Sequence, residues 1–373
     1  MQQRGRGLRG WTAMVLFLAL IAGCGKASAP APSQPGQPGP AAATPTPAPT
    51  GPKRVLNVLC WEGYADPAFV QDFEKANNVE VRRTYIGSND EIFGKLAAGG
   101  TAYDLISPSS DTTMKLIDAG LVQPLNLNNI PNYKDLYDVF QKPKWLVKDG
   151  KVYGVSYGWG PVFVTVNADK IPNPEQSLKL LWDKQYSGKI SLWDDISSIY
   201  TGAQYLGIAD PYHMTDEQLA KVKEALLQQK PLVRKYWSTS GELEQMFQSG
   251  EVWAATAWAL TGQTLRGEGM HIIEYLPKEG AQGWTDSWMI PKDSKNKDLA
   301  EAFINHLISG KATAEASKIT NYSYPNNKIL DFLTPERARE LHQDDPQWLF
   351  HLNWWQPVPN RDKYNEVWNQ VKS

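Results

Sequence analysis

Only two cysteines, Cys24 and Cys60, occur in the 373 residues. Commitment of either one elsewhere excludes an intramolecular disulfide. Histidine is also scarce: His213, His271, His306, His342 and His351 never fall at the short spacings that bring two imidazoles to one metal, which speaks against a metal site and a metal cofactor. The patterns H-E-x-x-H and G-x-x-x-x-G-K-[ST] are missing, so the zinc-protease and P-loop signatures are absent. After residue 24 no apolar run approaches the ~20 residues that a membrane-spanning helix needs. Residues 1–52 contain no acidic side chain, and the remainder holds 34 basic against 40 acidic residues. A body with that balance has no basic face for nucleic acid.

What is present begins with Arg4, Arg6 and Arg9 ahead of Trp11 to Ala22, twelve mostly apolar residues. A positive segment followed by an apolar one this short reads as a cleaved export signal, 1–23. The run Leu20-Ile21-Ala22-Gly23-Cys24 resembles the lipobox of bacterial lipoproteins, which implies a diacylglycerol on the Cys24 sulfur. Each buried methylene is worth ~0.8 kcal/mol, so more than one acyl chain makes such an anchor stable. Residues 24–52 are a tether, with nine prolines between Ala27 and Pro52; at ~3.1 Å per residue it reaches roughly 80 Å. The molecule reads as an extracytoplasmic body held to a membrane, at the cell surface or in the periplasm.

The rest of the chain is long enough for more than one lobe. Arg54 to Trp61 is a continuous apolar run with β-branched residues, a buried strand in which Cys60 is an unreactive core thiol. Asp66 is a plausible N-cap with Pro67 behind it, and a helix with Phe69, Val70 and Phe73 on one face follows. Strand Val79 to Tyr85, helix Asn89 to Ala98, strand Asp104 to Ser107 and a helix to Gly120 continue the alternation, which indicates βαβ crossovers. A second α/β region begins after Val162 to Asn167, with strands near Lys189 to Trp193, Glu251 to Ala257 and His271 to Tyr275. Its helices lie near Thr215 to Gln229 and Gly241 to Ser249. Strand Ser287 to Ile290 and helix Asp298 to Ile308 look like a return to the first lobe.

The 15 tryptophans and 16 tyrosines concentrate where strands meet loops. Trp61, Glu62 and Tyr64 follow the first strand, at the carboxyl end where ligands bind in open α/β sheets. Ser109 stands at a strand end and a helix start, where its hydroxyl caps the helix or faces a ligand. Asp195 follows Lys189 to Trp193, and Trp258 follows Ala254 to Ala257. Trp284 and Asp286, two apart in an extended segment, point to one side. A ring face for methylenes beside a carboxylate for N–H donors is the chemistry an organic ammonium requires.

Seven collinear blocks then resemble one family. They are Cys60-Trp61-Glu62-Gly63-Tyr64, Ala102-Tyr103-Asp104-Leu105 with Pro108-Ser109, Ser187-Gly188-Lys189 with Asp194-Asp195, and Gly250-Glu251-Val252 with Trp258. Pro277-Lys278-Glu279-Gly280 with Trp284-Thr285-Asp286-Ser287, Asn296-Lys297, and Asn321-Tyr322-Ser323-Tyr324-Pro325-Asn326 complete the set. Over Val55 to Val371 the chain resembles the spermidine/putrescine-binding proteins of bacterial ABC importers. The resemblance implies an α/β, two-lobed periplasmic-binding-protein fold of type II, each lobe a mainly parallel sheet flanked by helices, with the ligand cleft between them. Lobe 1 then comprises 53–163 and 286–330, and lobe 2 comprises 164–285 and 331–373. Also implied are a cationic polyamine-like ligand, ABC permease subunits as partners, a monomer, and no catalysis. Trp61, Tyr64, Ser109, Asp195, Trp258, Trp284, Asp286, Tyr322 and Gln356 fall where that family lines its cleft.

Two departures bear on the ligand. Ser198 stands where a Glu is common, removing one ammonium partner, while Asp111 replaces a usual aromatic and Glu62 adds a carboxylate beside Trp61. Either acid restores the charge with a shifted register, or the ligand has fewer cationic groups. A glycoside hydrolase would also line a cleft with Trp and two carboxylates, Asp195 and Asp286. An oligosaccharide binder stacks on Trp as well, but uncharged sugar does not account for Asp195, Asp286, Asp111 and Glu62 in one cleft.

Overall fold

The computed structural model describes residues 51–99 and 102–373; Cys24, the export signal and nearly all of the tether lie outside them. Strand Arg54–Cys60 is central to the first sheet. It runs parallel to Val79–Tyr85 in unbroken register from Arg54 opposite Val79 to Cys60 opposite Tyr85, and parallel to Leu105–Ile106 on its other side. The connecting helix Pro67–Asn77 starts as its sequence dictates: Asp66 accepts from the Ala68 N–H at 2.8 Å, and Pro67 fills the first position, where no N–H is needed. It ends at Asn78 in the left-handed region, φ 49°, a conformation Asn tolerates. Phe69, Val70 and Phe73 are buried, as their spacing predicts.

Strand Gln282–Pro291 lies beyond Leu105–Ile106 and also pairs with Gly154–Pro161, Val122–Gln123 and Asn353–Trp354. The second sheet has the order Val233–Trp237, Ile190–Trp193, Ala254–Ala257, Phe163–Asn167, Ile272–Tyr275. Both sheets are mixed, which corrects the mainly parallel expectation. Parallel pairing holds where a helix carries the chain back. It fails where the chain crosses between lobes, Gly154–Pro161 running into Phe163–Asn167 and Ile272–Tyr275 into Gln282–Pro291. A parallel neighbour needs a long crossover, and these short connections deliver strands antiparallel to theirs.

Several elements depart from the sequence reading. The strand expected at Ser287 to Ile290 is Gln282–Pro291, buried at all ten positions. The strand expected from Glu251 begins at Ala254. Segment 331–373, expected with the second lobe, divides: Asn353–Trp354 joins the first sheet, while helix Arg361–Lys372 lies against Asp216–Gln229. Helices Ser197–Tyr205, Ala259–Gly267 and Gly310–Thr320 were not foreseen. Eight of the nine residues of Ser197–Tyr205 are buried, so it shows no polar face to betray a helical period.

Candidate functional site

The strand ends of both sheets converge on one cavity. Trp61, Glu62 and Tyr64 come off the carboxyl end of Arg54–Cys60, through a turn at Gly63 with φ 81°. A Cβ there would approach Thr320 Cγ2 to 2.8 Å, so the turn needs glycine twice over. From the second lobe come Trp193, the last residue of Ile190–Trp193, and Trp258, the N-cap of Ala259–Gly267. Tyr322 follows Asn321, the left-handed cap of Gly310–Thr320. Trp284 and Asp286 project from Gln282–Pro291, whose register slips between Thr285 and Ser287. A bulge at that place re-aims the side chain it contains, here Asp286. Together with Ser109, Leu260 and Trp355 these residues line one narrow, partly open cleft.

Its walls are chiefly indole. Trp193 is 5.8 Å from Trp61 and 4.8 Å from Trp258 between ring centroids, both edge to face, and lies nearly parallel to Trp355 at 6.0 Å and 12°. Trp284 meets Tyr322 edge to face at 4.7 Å. Such arrays hold their shape through ring quadrupoles and leave electron-rich faces available.

The buried acid in this wall is Asp286, 4% exposed. Tyr64 Oη donates to Asp286 Oδ2, while Oδ1 is buried with no partner at hydrogen-bonding geometry. Burial pushes the carboxyl up to about 7, against the lowering influence of the nearby Ser109 and Tyr64 hydroxyls and with a further rise from the charge of Asp111. Burial and the Asp286 charge likewise hold Tyr64 well above its ordinary value, so it remains a phenol donor. Glu62 Oε2 accepts from the Ser240 N–H at 2.8 Å, at the start of helix Ser240–Gln248. Its charge is thereby met by a helix N-terminus. Among the described residues no group of His, Cys, Asp and Glu is arranged to hold a metal.

Comparison with known proteins decides the family. The model of the bacterial extracellular solute-binding protein family matches residues 68–342. The chain belongs to that family. This solute-binding protein is 26% identical to the putrescine-binding periplasmic protein PotF of Escherichia coli over 344 residues, 86% of this chain and 92% of the relative. It is 28% identical to the spermidine/putrescine-binding periplasmic protein of the same organism over 285 residues, 75% and 80% of the two chains. Among solved structures, a putative spermidine/putrescine ABC transporter protein from Listeria monocytogenes superposes with TM-score 0.78 at 25% identity, covering 86% of this chain and 99% of that one. The TpPotD lipoprotein of Treponema pallidum shares the fold, with TM-score 0.71 at 24% identity and coverage of 85% and 99%. The two-lobed fold is the one these proteins share.

In this solute-binding protein the cavity gathers Trp61, Glu62, Tyr64, Ser109, Trp258, Trp284, Asp286 and Tyr322. Ser109 occupies the N-cap position of Ser110–Asp118 yet makes no capping bond, so its hydroxyl is free to face the cavity. Three expected residues are not brought there. Asp111 is buried in an ion pair with Arg361 at 2.8 Å. Asp195 lies behind the cavity wall, its Oδ1 accepting from Ser197 N at 2.9 Å and its Oδ2 buried without a partner. Gln356 is exposed and borders a separate apolar pocket with Trp145, Phe350 and Trp354; its neighbour Trp355 faces inward, because pairing of Asn353–Trp354 with Gln282–Gly283 fixes the alternation. Trp193, Leu260 and Trp355 were missed. The first ends a strand as Trp61 nearly does, a signal that was available.

Proposed function

We propose that this protein captures a small organic cation of the polyamine class between its lobes and delivers it to the permease of an ABC importer, without chemical turnover. The observation that carries this reading is that Asp286, the buried acid of the cavity wall, keeps one oxygen without a partner at hydrogen-bonding geometry. An unpaired buried acceptor is costly, and an ammonium is the group that relieves it while the surrounding indoles take the methylenes. A micromolar site needs ~8 kcal/mol. One charge-assisted bond of about 1.5–3 kcal/mol falls short, so the indole faces, at about 0.5–2 kcal/mol per cation–π contact, have to contribute. The names of the relatives, putrescine and spermidine binders, agree with this chemistry.

A lipid on Cys24, with 24–52 as tether, would hold the body at the membrane from which the permease takes its load. Among the described residues no helix is long and apolar enough to cross a membrane. A glycoside hydrolase that used Asp195 and Asp286 would need both in one cavity; of that pair only Asp286 lines it, and the other lining acid, Glu62, is held by the Ser240 N–H. The deciding experiment is a thermal-shift and calorimetric screen of the purified chain against amines, amino acids and oligosaccharides. Stabilisation confined to amines supports the proposal; a response to sugars alone, or turnover of a chromogenic glycoside, overturns it.

A further inference from the structure

Trp355 forms part of a second pocket as well as of the cleft. This pocket is a bowl of about 400 Å³ walled by Met114, Phe140, Trp145, Phe350, Trp354 and Trp355, and concave, mostly apolar hollows of that size are where small molecules bind. Phe350 is 52% exposed, so the wall offers aromatic surface that a ligand would take out of water. The two sites stand back to back. Thr285 lines the pocket while its neighbours Trp284 and Asp286 line the cleft, as alternation along a strand requires. Ser110 lines the pocket and Ser109 the cleft, and Trp355 belongs to both. The segment with Phe350 and Trp354 then leads into helix Arg361–Lys372, which packs on Asp216–Gln229 of the second lobe.

Their chemistry is opposite in sign. The cleft lining holds Glu62 and Asp286 and no cation, whereas the pocket lining holds Lys144 and no acid. Three polar atoms of the pocket's residues are buried without a partner, namely Trp145 Nε1, Trp354 Nε1 and Thr285 Oγ1. An indole nitrogen can only donate, and a buried donor left unmet is costly. What complements aromatic walls, spare donors and one ammonium is an apolar body with an anionic, oxygen-bearing head.

We propose that this pocket is a second ligand site, which takes an aromatic monocarboxylate, and that its occupancy is coupled to the cleft through Trp355. The ring of such an acid packs edge-on or offset against the indoles, while its carboxylate meets Lys144 and accepts from the spare donors. A ligand here touches the strand that carries Asp286 and the segment that crosses to the second lobe, so it has the means to favour one lobe arrangement over another. The site itself is independent of the amine reading above; the coupling rests on it.

Calorimetric titration with naphthylacetate and with naphthylacetamide, the same shape without the charge, tests it. The acid should bind the wild-type chain saturably and at least threefold tighter than the amide. Lys144→Met should bring the two within twofold of each other, and Phe350→Ala should weaken both at least threefold; Lys144 and Phe350 are exposed, so both variants should fold as the parent does. Saturating naphthylacetate should change the putrescine dissociation constant at least threefold, and saturating putrescine should change that of the acid by the same factor. Absence of saturable binding overturns the site, as does an acid bound no tighter than the amide or an affinity that neither substitution alters. Putrescine affinity that stays constant in a chain binding both ligands overturns the coupling. If the acid binds and no amine does, the amine reading falls, and the coupling with it, while the carboxylate site stands.

Discussion

At Asp286 burial and ligand chemistry oppose each other. The same desolvation that lifts the carboxyl to about 7 makes its charged form valuable to an arriving ammonium, because both lose water and gain a strong partner. Asp286→Ala should weaken amine binding at least tenfold in calorimetry; near-native affinity would take Asp286 out of the site. The pH dependence follows from the sign of the shift. An acid raised from 3.8 to about 7 in the fold, as Asp286 and Asp195 both are, favours the native state while neutral and opposes it once ionised. The ligand-free Tm should therefore fall as the pH rises from about 4 to about 7, and the Tm increase produced by an amine should grow over the upper part of that window, since Asp286 must ionise before it takes a cation. A ligand-induced increase that stays constant from pH 5 to 8 would show that Asp286 does not receive the charge.

Strand Gly154–Pro161 positions the site from behind. At Gly158 an added Cβ would lie 2.7 Å from Tyr64 Oη, and at Gly160 one would lie 3.2 Å from Trp284. Gly158→Ala should push the Tyr64 hydroxyl off Asp286, costing about 1–3 kcal/mol of stability by overpacking and at least fivefold in amine affinity; an unchanged calorimetric titration would show that Tyr64 does not orient the carboxylate. What could be read beforehand at this scale was local. The Asp66-Pro67 helix start and the strand-end placement of Trp61, Tyr64, Trp258, Trp284 and Asp286 depend on neighbours a few residues away. Asp111 depends on Arg361, 250 residues distant, and no periodicity reports such a partner. Trp355 and Gln356 differ by one step of strand alternation, which is settled by a two-residue pairing too short to leave a pattern.

At the scale of the whole molecule, several hydrogen bonds bridge the lobes, and two of them come from residues at the cavity. Glu62 of the first lobe accepts from Ser240 N of the second at 2.8 Å, and Trp193 Nε1 donates to the Gly87 carbonyl at 3.0 Å. Glu62 and Trp193 also line the cavity, so occupancy and interlobe contact share residues. Such coupling lets a ligand favour a closed population over an open one, provided it touches both lobes. The connections that need flex are the crossovers, where Gly154–Pro161 gives way to Phe163–Asn167, Ile272–Tyr275 to Gln282–Pro291, and Asn353–Trp354 to helix Arg361–Lys372. Small-angle scattering should accordingly show a smaller radius of gyration for the amine-saturated chain than for the free one. Glu62→Ala should reduce that compaction while leaving Asp286 free to bind, so affinity should fall less than for Asp286→Ala. Dimensions that stay the same while calorimetry reports a bound amine would mean that capture proceeds without closure, and the permease would then have to recognise something other than lobe position.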